Sequence, residues 1–379
     1  MKALFSALLV ALLAAPAFAQ MKVGVIASST GPTAFVGIPQ KNTVPLLPTR
    51  IGDVGVEYIY YDDASDATQT VQFVKRFLTE HKVDAFIGPT GSPNAMAVLP
   101  FIAESGTPML APVGTPAVVL PMDEQKRWVF KTTQNDGLIA DALIAHMKKN
   151  GVKTLGFIGY NDPYGESWLK EITAQAKSAG INLVAVERYQ RTDQSVGGQA
   201  IKLVSAKPDA ILVAGTGGPA VLPHTTLVDL GYKGKIYQTH GAATPDFVRL
   251  GGKKLEGAFM AASAMVVLDQ VPDSMPSKKV AQAYIAAYEK LHGTKPATFG
   301  ANVFDAGLLL QKAVPEAIRK GKPGTPEFRK AVRDEVRGVK ELVGTNGVYH
   351  FPEGTSYGVD DRSVILVQVK NGQWKYLPN

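Results

Sequence analysis

The chain contains no cysteine, which excludes disulfide bonds and leaves its stability to buried cores. It has no long apolar run beyond its N-terminus, so no later stretch reaches the roughly 20 residues that cross a bilayer. Charge of one sign is not concentrated anywhere. Lys and Arg number 40 against 33 Asp and Glu, and the two signs are interleaved, so the basic stripe with aromatics that marks a nucleic-acid binder is missing. The mild positive balance serves solubility and attracts anions weakly. The histidines at 81, 146, 224, 240, 292 and 350 include no H-x-x-x-H or H-E-x-x-H pair, which argues against a metal site. No cofactor is expected. Gly215 to Ala220 (GTGGPA) lacks the Lys of a Walker loop and the full G-x-G-x-x-G spacing. Disordered, low-complexity and short-repeat segments are absent as well.

What is present begins with an export signal. Lys2 gives a positive start, Ala3 to Ala15 an apolar core, and Ala17-Phe18-Ala19 before Gln20 an A-x-A cleavage site. A periplasmic, soluble protein is expected, with residues 1–19 as signal peptide. With no Cys after Ala19, lipoprotein attachment there is excluded. The length predicts two domains, and 45% hydrophobic content is enough to fill both.

One pattern then repeats: a short apolar strand running into a polar loop. Lys22 to Ala27 runs into Ser28-Ser29-Thr30-Gly31, and Val54 to Tyr61 into Asp62-Asp63. Val83 to Ile87 precedes Gly88-Pro89-Thr90-Gly91-Ser92, and Thr154 to Gly159 precedes Tyr160 to Gly165. Ala210 to Ala214 leads into Gly215-Thr216-Gly217-Gly218, and Lys235 to Gln238 into Thr239-His240-Gly241. Helical patterns fill the intervals, for example Leu138, Ala142, Leu143 and Met147 closed by Asn150-Gly151. Strands alternating with such helices mean an α/β fold of parallel, doubly wound sheets. Two series are visible, joined at Thr132 to Asn135. After Ala261 consecutive helices and a late strand, Val364 to Lys370, must complete the two lobes. The expected division is 20–134 with 263–345 in the first lobe and 135–262 with 346–379 in the second. Ligands of open α/β sheets sit beyond the carboxyl ends of the strands. The loops carrying Ser29, Thr90, Thr216 and Gly217 would therefore face an interlobe cleft that can close on its ligand.

At Gly88 to Ala95 (GPTGSPNA), Ala111 to Pro116 (APVGTP) and Tyr160 to Gly165 (YNDPYG) the chain resembles periplasmic substrate-binding proteins of ABC importers, in the leucine-isoleucine-valine-binding branch. The resemblance spans essentially the whole mature chain. It implies a type I periplasmic-binding fold with a three-segment hinge, a monomer, and delivery of a small molecule to an ABC permease. It also implies that Ser92 and Thr115 grip a ligand carboxylate, with Val113 lining the same loop and Tyr164 covering the ligand from the second lobe. The unpaired N–H groups and positive dipole at the start of the Ser92 helix suit an anion. An ordinary N-cap is the plainer role for Ser92. Where amino-acid binders of this branch carry an acid to pair the ammonium, this chain has Thr239-His240-Gly241. It also replaces a second-lobe Tyr with Gly215 to Gly218, which would open space and expose amides. Together these favour a carboxylate without an amine, an aromatic acid or aryl 2-oxo acid, with His240 donating to its oxygens. A buried, satisfied histidine is the competing role for His240. An amino-acid binder and a sensory binding module remain as alternatives. An exported hydrolase is weaker, because Gly91-Ser92-Pro93 is not the G-x-S-x-G elbow.

Overall fold

A computed structural model describes residues 20–352 and 354–378. The expected signal peptide, 1–19, lies outside the described residues. The first sheet is built from β1 (Gln20–Ile26), β2 (Arg50–Ile51), β3 (Val54–Tyr61), β4 (Ala85–Ile87), β5 (Met109–Ala111) and β6 (Val129–Lys131), in the order β2-β3-β1-β4-β5-β6. All its pairings are parallel except β2 with β3. Val23 of β1 lies opposite Tyr58 on one side and Ala85 on the other. Helices cover both faces, which is why the central strands are apolar throughout rather than alternating. Met21, Val23 and Val25 feed one core with Leu309, Leu310 and Phe328, whereas Ile26 and Phe86 feed another with Val98 and Ile102.

The second sheet carries the parallel strands β7 (Thr154–Tyr160), β8 (Asn182–Tyr189), β9 (Ala210–Ala214), β10 (Lys235–Gln238) and β11 (Phe259–Ala262). Three short strands, β12 (Leu342–Val343), β13 (Val348–His350) and β14 (Gly358–Val359), form a small antiparallel sheet. The chain then returns as β15 (Ile365–Lys370) and β16 (Gln373–Leu377), antiparallel additions beside β11. The architecture is thus two α/β lobes, as the alternation of strands and helices predicted.

The lobe boundaries differ from the expected division at two places. Met265, Leu268, Tyr284 and Tyr288 share a core with Met260 and Val367 of the second sheet, although 263–345 was assigned to the first lobe. Tyr349, Phe351 and Val359 pack in the first lobe's core, although 346–379 was assigned to the second. Apolar side chains decide both cases. The helix Lys278–His292 buries Ala281, Tyr284 and Tyr288, and its Tyr284 hydroxyl meets Thr43 of the first lobe at 2.8 Å. The segment between β6 and the helix Asp136–Lys149, the one after β11, and Asp360 to Val364 carry the chain between lobes.

Candidate functional site

Loops at the carboxyl ends of the parallel strands from both lobes converge on one small cavity. Its first-lobe wall holds Thr33, Val36, Thr90, Ser92, Val113 and Gly114; the second-lobe wall holds Tyr164, Arg191, Thr216, His240 and Gly241. Gly91, Pro112, Thr133 from the crossing, and Phe299 complete the lining. The centres of water-sized atoms have about 40 Å³ there, so the space suits a compact ligand. Among the described residues, no Asp or Glu lines it.

Six of the nine residues expected at the site line this cavity: Thr90, Ser92, Val113, Tyr164, Thr216 and His240. Ser92 opens the helix Ser92–Ser105 behind Gly91, and no side chain caps that end. The capping role weighed for Ser92 is therefore not what it does. Thr90 is already committed: its hydroxyl donates to Gln40 at 2.6 Å and accepts from the Ser28 amide at 2.9 Å. Three expected residues lie off the cavity, each for a structural reason. The fully buried Thr115 caps its own short turn, accepting from the Ala117 amide at 3.2 Å. The Ser29 hydroxyl donates to Asp62 at 2.8 Å and accepts from Tyr60 at 2.7 Å. Gly217 spends its amide on Gly241 O at 2.9 Å, and a Cβ there would meet the Phe35 side chain at 2.7 Å. Space opened by Gly215 to Gly218 is thus filled by Phe35. The Thr216 amide is likewise occupied, donating to the Tyr160 hydroxyl at 3.0 Å.

His240 stands across the interlobe gap from Gly114, where a Cβ would lie 3.2 Å from its Cε1 and Nε2. Burial, and then the Lys131 charge, push its pKa down to about 3, so the ring is neutral. Among the described residues Nδ1 is buried without a hydrogen-bond partner, unlike the Nδ1 of a satisfied structural histidine. Behind it the fully buried Trp168 sits with ring centroids 5.8 Å apart. Gly114 O accepts from the Lys131 ammonium and from the Asp136 amide at 3.3 Å, fixing the loop that faces His240.

Tyr164 lies in the first turn of the helix Pro163–Ser178, whose N-cap Asp162 accepts from the Tyr164 and Gly165 amides. Only glycine fits at 165, since a Cβ would come within 1.8 Å of Tyr160 O. The Tyr164 hydroxyl bonds Thr239 at 2.8 Å, and burial raises its pKa far above the usual phenol range.

Arg191, absent from the expected residues, supplies the cavity's cation. Its Nε donates to Asp162 at 2.6 Å and its Nη1 to Thr216 at 3.1 Å. Its guanidinium lies 4.1 Å from the centroid of the Tyr160 ring, a cation–π contact. Burial opposes the charge, but Asp162 and its neighbours outweigh it and hold the pKa above the usual value. A signal existed: Arg191 follows a strand and its loop, as the other site residues do.

Two α/β lobes enclosing a small cavity at their strand ends define a two-lobed ligand-binding protein. The chain belongs to the periplasmic binding protein family, which matches residues 20–373, and membership implies a location outside the cytoplasm. It is similar to a solved extracellular ligand-binding receptor from Rhodopseudomonas palustris HaA2, at 39% identity and TM-score 0.92, covering 95% of this chain and 100% of that one. Among curated proteins it is 24% identical to Leu/Ile/Val-binding protein BraC3 of Rhizobium johnstonii, over 90% of each chain. It is also 24% identical to Leu/Ile/Val-binding protein homolog 3 of Brucella melitensis, over 64% of this chain and 67% of that one.

A second buried histidine makes stability depend on pH. His224 Nε2 meets Lys254 O at 3.1 Å and its Nδ1 meets the Gln238 amide at 3.0 Å, a neutral arrangement, and burial pushes its pKa down to about 4. In the unfolded chain a histidine titrates near 6.5. A lowered folded pKa means that the unfolded chain binds the extra proton. Stability from His224 is therefore complete above about pH 6.5 and lost as pH falls toward 4, at up to about 1.4 kcal/mol per pH unit. Urea unfolding at pH 7 and pH 5 should show a smaller loss in His224→Gln than in the parent chain. Equal losses would remove His224 from the account.

Proposed function

We propose that the protein captures a small carboxylate without an amine, an aromatic acid or aryl 2-oxo acid, binds it unchanged in the interlobe cavity, and presents it to an ABC permease. One observation carries the reading: the cavity offers a guanidinium, a neutral unpartnered imidazole and the open start of the Ser92 helix, but, among the described residues, no carboxylate for an ammonium. An anion gains from these donors, while an amino group would be buried without a counter-charge. The Tyr164 and Phe299 rings and the Val36 and Val113 side chains supply apolar wall for a flat ring. The names of the curated relatives point to branched-chain amino acids instead, a reading that needs another residue to pair the ammonium.

His240→Glu tests the assignment. A carboxylate at 240 would face the bound acid with like charge, costing on the order of 1–4 kcal/mol at 4 Å. Calorimetric titration with phenylpyruvate or benzoate should show binding weakened tenfold or more. Retained affinity would place the ligand away from His240.

A further inference from the structure

We infer that Arg191 reads a second, uncharged oxygen on the ligand, so the cavity selects monocarboxylates bearing a keto or hydroxyl group over both plain acids and diacids. The inference rests on the carboxylate reading above and narrows it.

Two observations support it. The first is geometry. The guanidinium is fixed on three sides, by Asp162 at Nε, Thr216 at Nη1 and the Tyr160 ring on its face. Nη2 makes no hydrogen bond among the described residues. The side chain is only 16% exposed yet lines the cavity, on the wall opposite Ser92 and Val113. A planar fork so held presents its remaining donors in fixed directions and loses little rotamer freedom when an oxygen arrives.

The second is charge balance. Asp162 already neutralises Arg191. Behind the Gly114 loop the buried Lys131 and Asp136 oppose each other, and His240 is neutral. The walls therefore sum to no net charge. One ligand carboxylate is accommodated by the helix start at Ser92 and by hydroxyl and imidazole donors. A second full negative charge would be buried without a counter-ion. A neutral oxygen accepts from Arg191 without that cost. With no such oxygen, the guanidinium donor would be shut away from water unpaired when the cleft is filled, which penalises the plain acid.

The experiment compares matched ligands on the parent chain and on Arg191→Lys and Arg191→Gln, using calorimetry on variants whose thermal midpoints confirm folding. The pairs are 3-phenylpropanoate with phenylpyruvate, and benzoate with 4-hydroxybenzoate; terephthalate is the diacid. The parent chain should prefer the oxygenated member of at least one pair tenfold or more and bind terephthalate more weakly than that member. Both variants should lose the preference: glutamine removes the guanidinium donors, and lysine keeps the charge without the planar fork. An unchanged preference in both variants, no preference in the parent, or terephthalate bound as tightly as the oxygenated acid would overturn the inference and leave the carboxylate reading standing. Binding of amino acids with none of these acids bound would overturn both.

Discussion

Gly114→Ala should weaken acid binding by about two orders of magnitude while leaving the lobes folded. A Cβ at 114 would lie 2.4 Å from Asp136 Oδ1 and 3.2 Å from the His240 ring. Asp136 cannot swing aside, because its Oδ2 accepts from Ser167 at 2.7 Å and its amide donates to Gly114 O, and the residue is fully buried. The loop carrying Val113 and Gly114 must then retreat from the second lobe, and the closed arrangement gives way to an open one. Reducing a dominant binding-competent state to about 1% of the population lowers apparent affinity about 100-fold. Each lobe keeps its own core, so the thermal midpoint without ligand should move little. Calorimetry with an aromatic acid, together with the radius of gyration by X-ray scattering, checks both halves. Parent-like affinity in Gly114→Ala would show that the 114 loop and the second lobe need not approach.

Trp168→Ala should cost about 3–5 kcal/mol of stability, the range for truncating a large buried aromatic. Trp168 is fully buried on the helix Pro163–Ser178, with its ring 6.5 Å from Tyr164 and 5.8 Å from His240 between centroids. The void would lie directly behind two residues that line the cavity, so binding should weaken as well as folding. Urea unfolding gives the first quantity, and titration below the unfolding transition gives the second. A loss under about 1 kcal/mol would mean that the helix collapses into the space and that Trp168 does not brace the site.

The strand-and-loop rhythm makes most of the site legible in the amino-acid sequence. β1, β3, β4, β7, β9 and β10 are apolar runs ending in polar loops, most of them rich in Gly, Ser or Thr, and parallel order puts those loops at one edge. β8 is harder to read because it is an edge strand, with Asn182, Val184 and Arg188 exposed to solvent, so its apolar content is diluted. Arg191, just beyond it, is equally hard to read. Pro39 in its interior masks the helix Ala34–Thr43, which carries Phe35 and Val36. Thr115 shows a different limit. A loop's position is set by the chain's topology, but the direction of a hydroxyl depends on which amide lies nearest, and here that amide belongs to Ala117. The lobe boundaries blurred because aromatic residues of the late helices bridge two cores, which no periodicity in those helices reveals.

The central claim is that the cavity takes an acid lacking an amine. A thermal-shift panel on the chain from Gln20 onward, with aromatic carboxylates, aryl 2-oxo acids and branched-chain or aromatic amino acids in separate wells, tests it directly. Ligand at a hundred times its Kd adds about 2.7 kcal/mol, a readily visible rise in midpoint. The account predicts a rise with acids and none with amino acids; a rise with amino acids alone would contradict it.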